Sequence, residues 1–189
     1  MPHAILAQTN QQVDEYNTTI LSRLEGVQRT YFASDSLKET DDTHLLPPES
    51  MLDYTTRHTP PGMPPHSLQV KTNAVFRLMR NFSVDHGLVK NVRVIVTDVG
   101  ARIITVRLLR GVGGRQIFDD EQILIPRITF LTDLPSGYTL RRQQFPLAPA
   151  YATTFNSCQG MTLDTLGVDL TRPVFSHGQL YTALSRVRR

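Results

Sequence analysis

Three side chains near the C-terminal end of this 189-residue sequence are spaced to hold an anion. Ser176-His177-Gly178-Gln179 has the form of a capping box, and the expected helix runs on through Val187 with Leu180, Ala183, Leu184 and Val187 as its apolar stripe. At about 100° per residue, Gln179, Thr182 and Arg186 fall together on a separate polar face. One guanidinium beside two hydrogen-bonding side chains suits a phosphate or carboxylate. A second polar group, Gln159-Gly160-Met161-Thr162, sits in a loop where glycine permits close backbone approach to a ligand. Cys158, the only cysteine, lies on an apolar stripe and reads as a small buried residue.

The elements that position these groups can be read outward from them. Pro149 to Gly160 reads as a helix, with Pro149 at its first position, Gly160 past its end, and Tyr151, Phe155 and Cys158 at helical spacing. Leu166 to Leu170 reads as a short buried parallel strand closed by Pro173. At the other end of the chain, Ala4 to Ala7 is a strand. Thr9-Asn10-Gln11-Gln12 is another capping box, and Val13, Tyr16, Ile20 and Leu24 mark a helix up to Gly26. Tyr31 to Ala33 suggests a further strand, closed by Ser34-Asp35-Ser36.

The middle of the chain has a different character. Residues 46–66 include Thr59 to Pro65, with four prolines in seven positions, and read as a connection. Residues 67–131 are β-rich, with strands expected at Ser67–Lys71, Val75–Met79, Val92–Val99, Arg102–Leu109 and Ile123–Phe130. Five short strands suggest a small barrel. Arg110 to Arg115 is its loose hairpin, and Pro126 marks an edge or bulge. Asp119 to Gln122 reads as surface turn. The order α/β, all-β, α/β implies a parallel-sheet domain, residues 1–45 and 140–189, interrupted by an inserted β unit.

Composition narrows the class. With 40% hydrophobic residues the chain can bury a core, and no run approaches the roughly twenty apolar residues of a membrane span. A soluble intracellular protein is the expectation. A lone cysteine excludes an internal disulfide, and the six histidines show no metal-ligand spacing. The net charge of +3 and pI near 9.2 are compatible with nucleic acid, and arginines concentrate between Arg77 and Arg142 and again at the C-terminal end.

Three stretches in this order carry a resemblance: Tyr151 to Asp164, Gly167 to Leu170, and Val174 to Val187. They resemble the last two helicase motifs of the Pif-one and RecD-type DNA helicases, and are especially similar to the helicase portion of Helitron transposases. Ala4 to Asn17 resembles the segment that begins that family's second motor domain, and Phe76 to Asn81 with His86 to Val96 resembles its inserted barrel. The resemblance implies a second RecA-like α/β motor domain with a small Src-homology-three-like barrel inserted, from an enzyme that moves 5′ to 3′ along single-stranded DNA. It assigns Arg186 to the γ-phosphate of ATP bound between two motor domains, where a fixed guanidinium stabilises the charge of phosphoryl transfer. It assigns Gln159, Gly160, Thr162 and Gln179 to coupling between nucleotide and DNA, and places Ser157, Arg80 and Arg142 on the DNA. Serine at 157, methionine at 161 and valine at 75 depart from many relatives.

No G-x-x-x-x-G-K-[ST] pattern occurs, and no glycine is followed by lysine. ATP and Mg²⁺ are therefore expected only with a first motor domain supplied in cis or in trans, and the chain reads as a fragment inactive by itself. The implied partners are single-stranded DNA and that missing domain, with nuclear localisation if the source is eukaryotic. The alternative is a DNA-binding or partner-binding module whose helicase motifs are relics.

Overall fold

The computed structural model describes residues 3–39, 49–112, 115–155, 157, 165–171, 178, 181 and 185. The chain begins with β1 (His3–Ala7) and α1 (Asn10–Arg23). Both halves of the expected capping box form: the Gln12 amide donates to Thr9 Oγ1 at 3.2 Å, and the Thr9 amide donates to Gln12 Oε1 at 3.2 Å. The helix does not bury the apolar stripe read from sequence. Gln12, Asn17 and Leu21 are buried, whereas Val13, Tyr16, Ile20 and Leu24 are only half-buried.

Two strands follow, β2 (Gln28–Phe32) and β3 (Ser34–Glu39), so Ser34 to Ser36 continues in extended form instead of turning. Within the proline-rich connection lies a helix, α2 (Glu49–Arg57). Then come β4 (Ser67–Lys71), β5 (Val75–Leu78), β6 (Arg93–Val99), β7 (Ile103–Val112), β8 (Arg115–Pro126), β9 (Ile128–Asp133) and β10 (Tyr138–Gln144). Asp119 to Gln122 lies inside β8, at a register shift against β7, and is not a turn; Arg107 Nη2 meets Asp120 Oδ1 there at 2.7 Å.

The expected helix from Pro149 does not form over the described residues 149–155. Leu147–Pro149 is β11, antiparallel to β5, and Ala152–Thr154 is β12, parallel to β1. The reason is a distant polar residue. Asn17 Oδ1 accepts from the amides of Tyr151 and Ala152 at 3.1 and 3.0 Å, while the Ile5 amide donates to the Tyr151 carbonyl at 2.9 Å. Those bonds take the backbone groups a helix would need, and Thr153 and Thr154 suit an extended chain. Tyr151 and Phe155 are core residues all the same: Phe155 packs on Leu6, and the Val75 amide donates to Tyr151 Oη at 2.7 Å.

The last described strand is β13 (Thr165–Val168), also parallel to β1, as expected. The three-stranded sheet therefore runs β12-β1-β13. β1 sits in the middle with Ala4, Leu6 and Ala7 buried, as a strand covered on both faces requires. Beyond it, the expected helix at 176–187 lies mostly outside the described residues; the Ser185 amide donates to the Tyr181 carbonyl at 2.9 Å.

The five β-rich stretches do not close into a barrel among the described residues. β4 pairs with β2; β5, β6, β7 and β8 form an open sheet in the order β11-β5-β6-β7-β8; and β9 joins β3 and β10. Pro126 ends β8, the outer strand of its sheet, consistent with its missing N–H. The largest core lies under the five-stranded sheet, around Phe76, Leu78, Val94, Val96, Ile104, Val106 and Phe145. A second cluster holds Met63, Met79, Phe130 and Leu140. No helix of the described residues is long and apolar enough to cross a membrane.

Candidate nucleic-acid interface

A cleft of about 470 Å³ opens where the parallel sheet, the proline-rich segment and the first strands of the five-stranded sheet meet. Its cationic side comes from β5 and β6. On β5, Phe76 and Leu78 point into the core, so the alternating residue Arg77 is left on the other face. On β6 the same alternation buries Val94 and leaves Arg93 beside Arg77, its cross-strand partner in the register. Like charges directly opposite one another on a sheet oppose pairing, so this placement has an energetic cost.

Each arginine donates to a neutral acceptor. Arg77 Nη1 donates to Asn91 Oδ1 at 3.0 Å, and Arg93 Nη2 donates to the Ala150 carbonyl at 2.9 Å. Asn91 reaches Arg77 because it takes a left-handed conformation, φ 70°, at the turn into β6. Burial pushes both guanidinium pKa values below the ordinary range, and for Arg93 the Tyr151 phenol opposes that shift. Lys90, exposed at the rim, adds a third cation. Asp14 from α1 supplies a carboxyl whose pKa is raised by burial.

The apolar part of the lining is built by Met63, Pro65, Met79, Ala148 and Pro149, with Ala148 the cross-strand neighbour of Arg77 on β11. Its position depends on Arg142. The expectation that Arg142 contacts DNA is overturned: its side chain is 0% exposed and forms a two-pronged pair with Asp35, Nε to Oδ1 and Nη2 to Oδ2, both 2.8 Å. Arg142 Nη1 also donates to the Pro64 carbonyl at 3.0 Å, and Nη2 donates to the Thr55 carbonyl. His66 Nδ1 lies 2.9 Å from Asp35 Oδ2. One buried ion pair thus ties α2 and the proline-rich wall to β3 and β10. A buried, fully used arginine holds structure and cannot reach a phosphate outside.

Ser157 stands exposed at the cleft's edge, its hydroxyl accepting from Thr154 Oγ1 at 2.8 Å. Arg80 is exposed but does not line the cleft; its guanidinium sits 5.2 Å from the centre of the Phe130 ring. Arg186, Gln159, Gly160, Thr162 and Gln179 lie outside the described residues. Sequence reading counted Arg77 and Arg93 only among many basic residues. The available signal was their position on the face opposite the apolar residues of two adjacent strands.

A buried polar group joins α1 to the end of β13. Asp169, just after β13, accepts from Gln12 Nε2 at 2.9 Å through Oδ2, and from the Thr171 amide and hydroxyl at 2.9 and 2.6 Å through Oδ1. The Tyr16 phenol pKa is raised chiefly by its hydrogen bond with the same carboxylate. The Asp169 amide donates to the Leu6 carbonyl at 2.8 Å. The loops after β1 and after β13 are thereby held together at the carboxyl ends of the parallel strands, the edge at which ligands bind in parallel α/β sheets.

No protein-family profile matches the chain. The ATP-dependent DNA helicase PIF1 of Danio rerio is 35% identical over 182 residues, which cover 93% of this chain and 24% of that protein. The crystal structure of the Pif1 helicase from Candida albicans superimposes with a TM-score of 0.73 at 22% identity, covering 99% of this chain and 43% of the other. The Pif1 helicase from Bacteroides, crystallised in complex with ADP-AlF3 and ssDNA, gives a TM-score of 0.65 at 25% identity, covering 99% and 38%. The chain spans about a quarter of the length of the Danio rerio relative.

Proposed function

We propose, starting from a chain that is a homologue of part of the Pif1 DNA helicases, that it serves as the second motor portion of such a helicase and grips single-stranded DNA in the cationic cleft. The observation that carries the reading is the cross-strand placement of Arg77 and Arg93 at the cleft, because an anion lying across both would offset the cost of placing them together. In this reading residues 1–45 and 140–189 form the RecA-like part, residues 46–66 connect, and residues 67–131 are the Src-homology-three-like insertion. Strands β2, β3, β10 and β11 dock the insertion onto the rest.

Arg186 is proposed as the arginine that reaches the γ-phosphate of ATP held by another motor domain, with Gln159, Gly160, Thr162 and Gln179 linking that event to DNA. The sequence has no P-loop lysine, and among the described residues no three His, Cys, Asp or Glu side chains gather where a metal could be held. Movement 5′ to 3′ along DNA, and turnover of ATP with Mg²⁺, belong to the assembly with a first motor domain.

The test is the affinity of the chain for a fluorescent oligo-dT as salt is raised. Arg77→Gln should weaken binding and lower the slope of log K against log salt by about 0.7, the share of one phosphate contact on a single strand. Unchanged affinity and slope would refute the cleft as the DNA track. The missing P-loop favours a second reading, a DNA-binding module without turnover. ATP turnover measured after adding a first motor domain in trans separates the two, since Arg186→Ala should lower turnover in the first case only.

A further inference from the structure

The cleft lining combines two chemistries, and a phosphate uses only one of them. Arg77, Arg93 and Lys90 supply charge on the β5 and β6 side. In the same lining, Met63 and Met79 are 4% and 8% exposed and rest against Phe130 and Leu140, with Pro65 adding to the apolar surface. A volume of about 470 Å³ is within the range that accommodates an organic ligand and far more than a phosphate group fills. Methionine thioethers are polarizable and contact aromatic rings favourably without fixed hydrogen-bond directions, so they accept any base.

Resting on the DNA-binding reading above, we infer that the cleft takes a whole nucleotide of the bound strand, its phosphate on Arg77 and Arg93 and its base turned in against Met63 and Met79. Charge complementarity selects this occupant: Arg77, Arg93 and Lys90 suit a phosphate and the thioethers suit a base, whereas a free phosphate would leave the thioether surface wet. The strand would be read through the flat face of its bases and not their edges, which makes the contact tolerant of sequence.

The inference is tested on the full chain with oligo-dT of about ten nucleotides and with an oligonucleotide of the same length whose central residues are abasic. Both carry the same phosphates. The abasic strand should bind about twofold to tenfold more weakly with an unchanged salt slope. Oligo-dT bearing 4-thiothymidine should photo-cross-link to the segment 60–65 or to Met79, as mapped by mass spectrometry. Equal affinity for the two strands, or cross-links only outside those segments, would overturn the inference while leaving the DNA track in place. Binding of neither strand at low salt would instead overturn the function on which it rests. Because the perturbation is in the DNA, the outcome does not depend on a core variant folding.

Discussion

Replacing Arg142 by methionine gives the sharpest test of how the cleft is built. The guanidinium is fully buried, its partner Asp35 has a side chain 4% exposed, and the two are joined through a pair of 2.8 Å contacts. Removing one member of a buried pair leaves the other charge uncompensated, at about 3–5 kcal/mol. The carbonyls of Pro64 and Thr55 also lose their donor, a cost that entering water would partly offset. A total near 4 kcal/mol is expected. For a chain of this size, at about 2–4 °C per kcal/mol, that corresponds to a melting temperature lower by about 8–16 °C. Urea unfolding followed by circular dichroism measures it. The double variant Arg142→Met with Asp35→Leu should recover much of the loss, because neither charge is then stranded. A loss below about 1 kcal/mol for Arg142→Met would refute the clamp. Reduced DNA affinity at full stability would instead restore Arg142 as a surface contact.

Other perturbations follow from named contacts. Thr9→Ala removes one half of the capping box and should cost about 0.5–2 kcal/mol in the same urea assay. Gly26→Ala should cost about 1–3 kcal/mol: Gly26 has φ +139°, and an added Cβ would lie 2.5 Å from Thr72 Oγ1 and 2.7 Å from its carbonyl oxygen. Asp14 lines the cleft, and burial raises the pKa of its carboxyl, so as pH falls its negative charge is lost earlier than that of an ordinary aspartate. Oligo-dT affinity should therefore rise on acidification, and Asp14→Asn should bind more tightly at pH 7 and lose that rise; a pH titration of anisotropy checks both.

How far the sequence disclosed this structure depends on how local the deciding interactions are. The β1–α1 unit was legible because Thr9 and Gln12 satisfy one another three residues apart. β13 was legible because a short apolar run bounded by a proline has few alternatives. The stretch from Pro149 misled because its proline, glycine and aromatic spacing are helical signals, whereas its conformation is set by Asn17, more than 130 positions away. The barrel misled similarly. Strand content was correct, but partners came from outside the expected insertion: β2 took β4, and β3 with β10 took β9. β-pairing energy lies in cross-strand contacts that no single strand's sequence declares.

The same physics explains why the cleft was invisible before folding while the arginine at 186 was conspicuous. Arg186 stands in a contiguous pattern with its neighbours, so resemblance alone could single it out. Arg77 and Arg93 acquire meaning only through the register that sets them side by side, and Met63 and Met79 only through the Arg142–Asp35 pair that carries the proline-rich wall across to them. A site assembled from β5, β6, the wall and α1 has no local signature. Its consequence is testable in one comparison: a variant that loosens the wall, Arg142→Met, should weaken binding of oligo-dT more than of the abasic strand at a temperature where it remains folded. Arg77→Gln should weaken both alike. If the two variants lose affinity for the two strands in the same ratio, the wall does not hold a base.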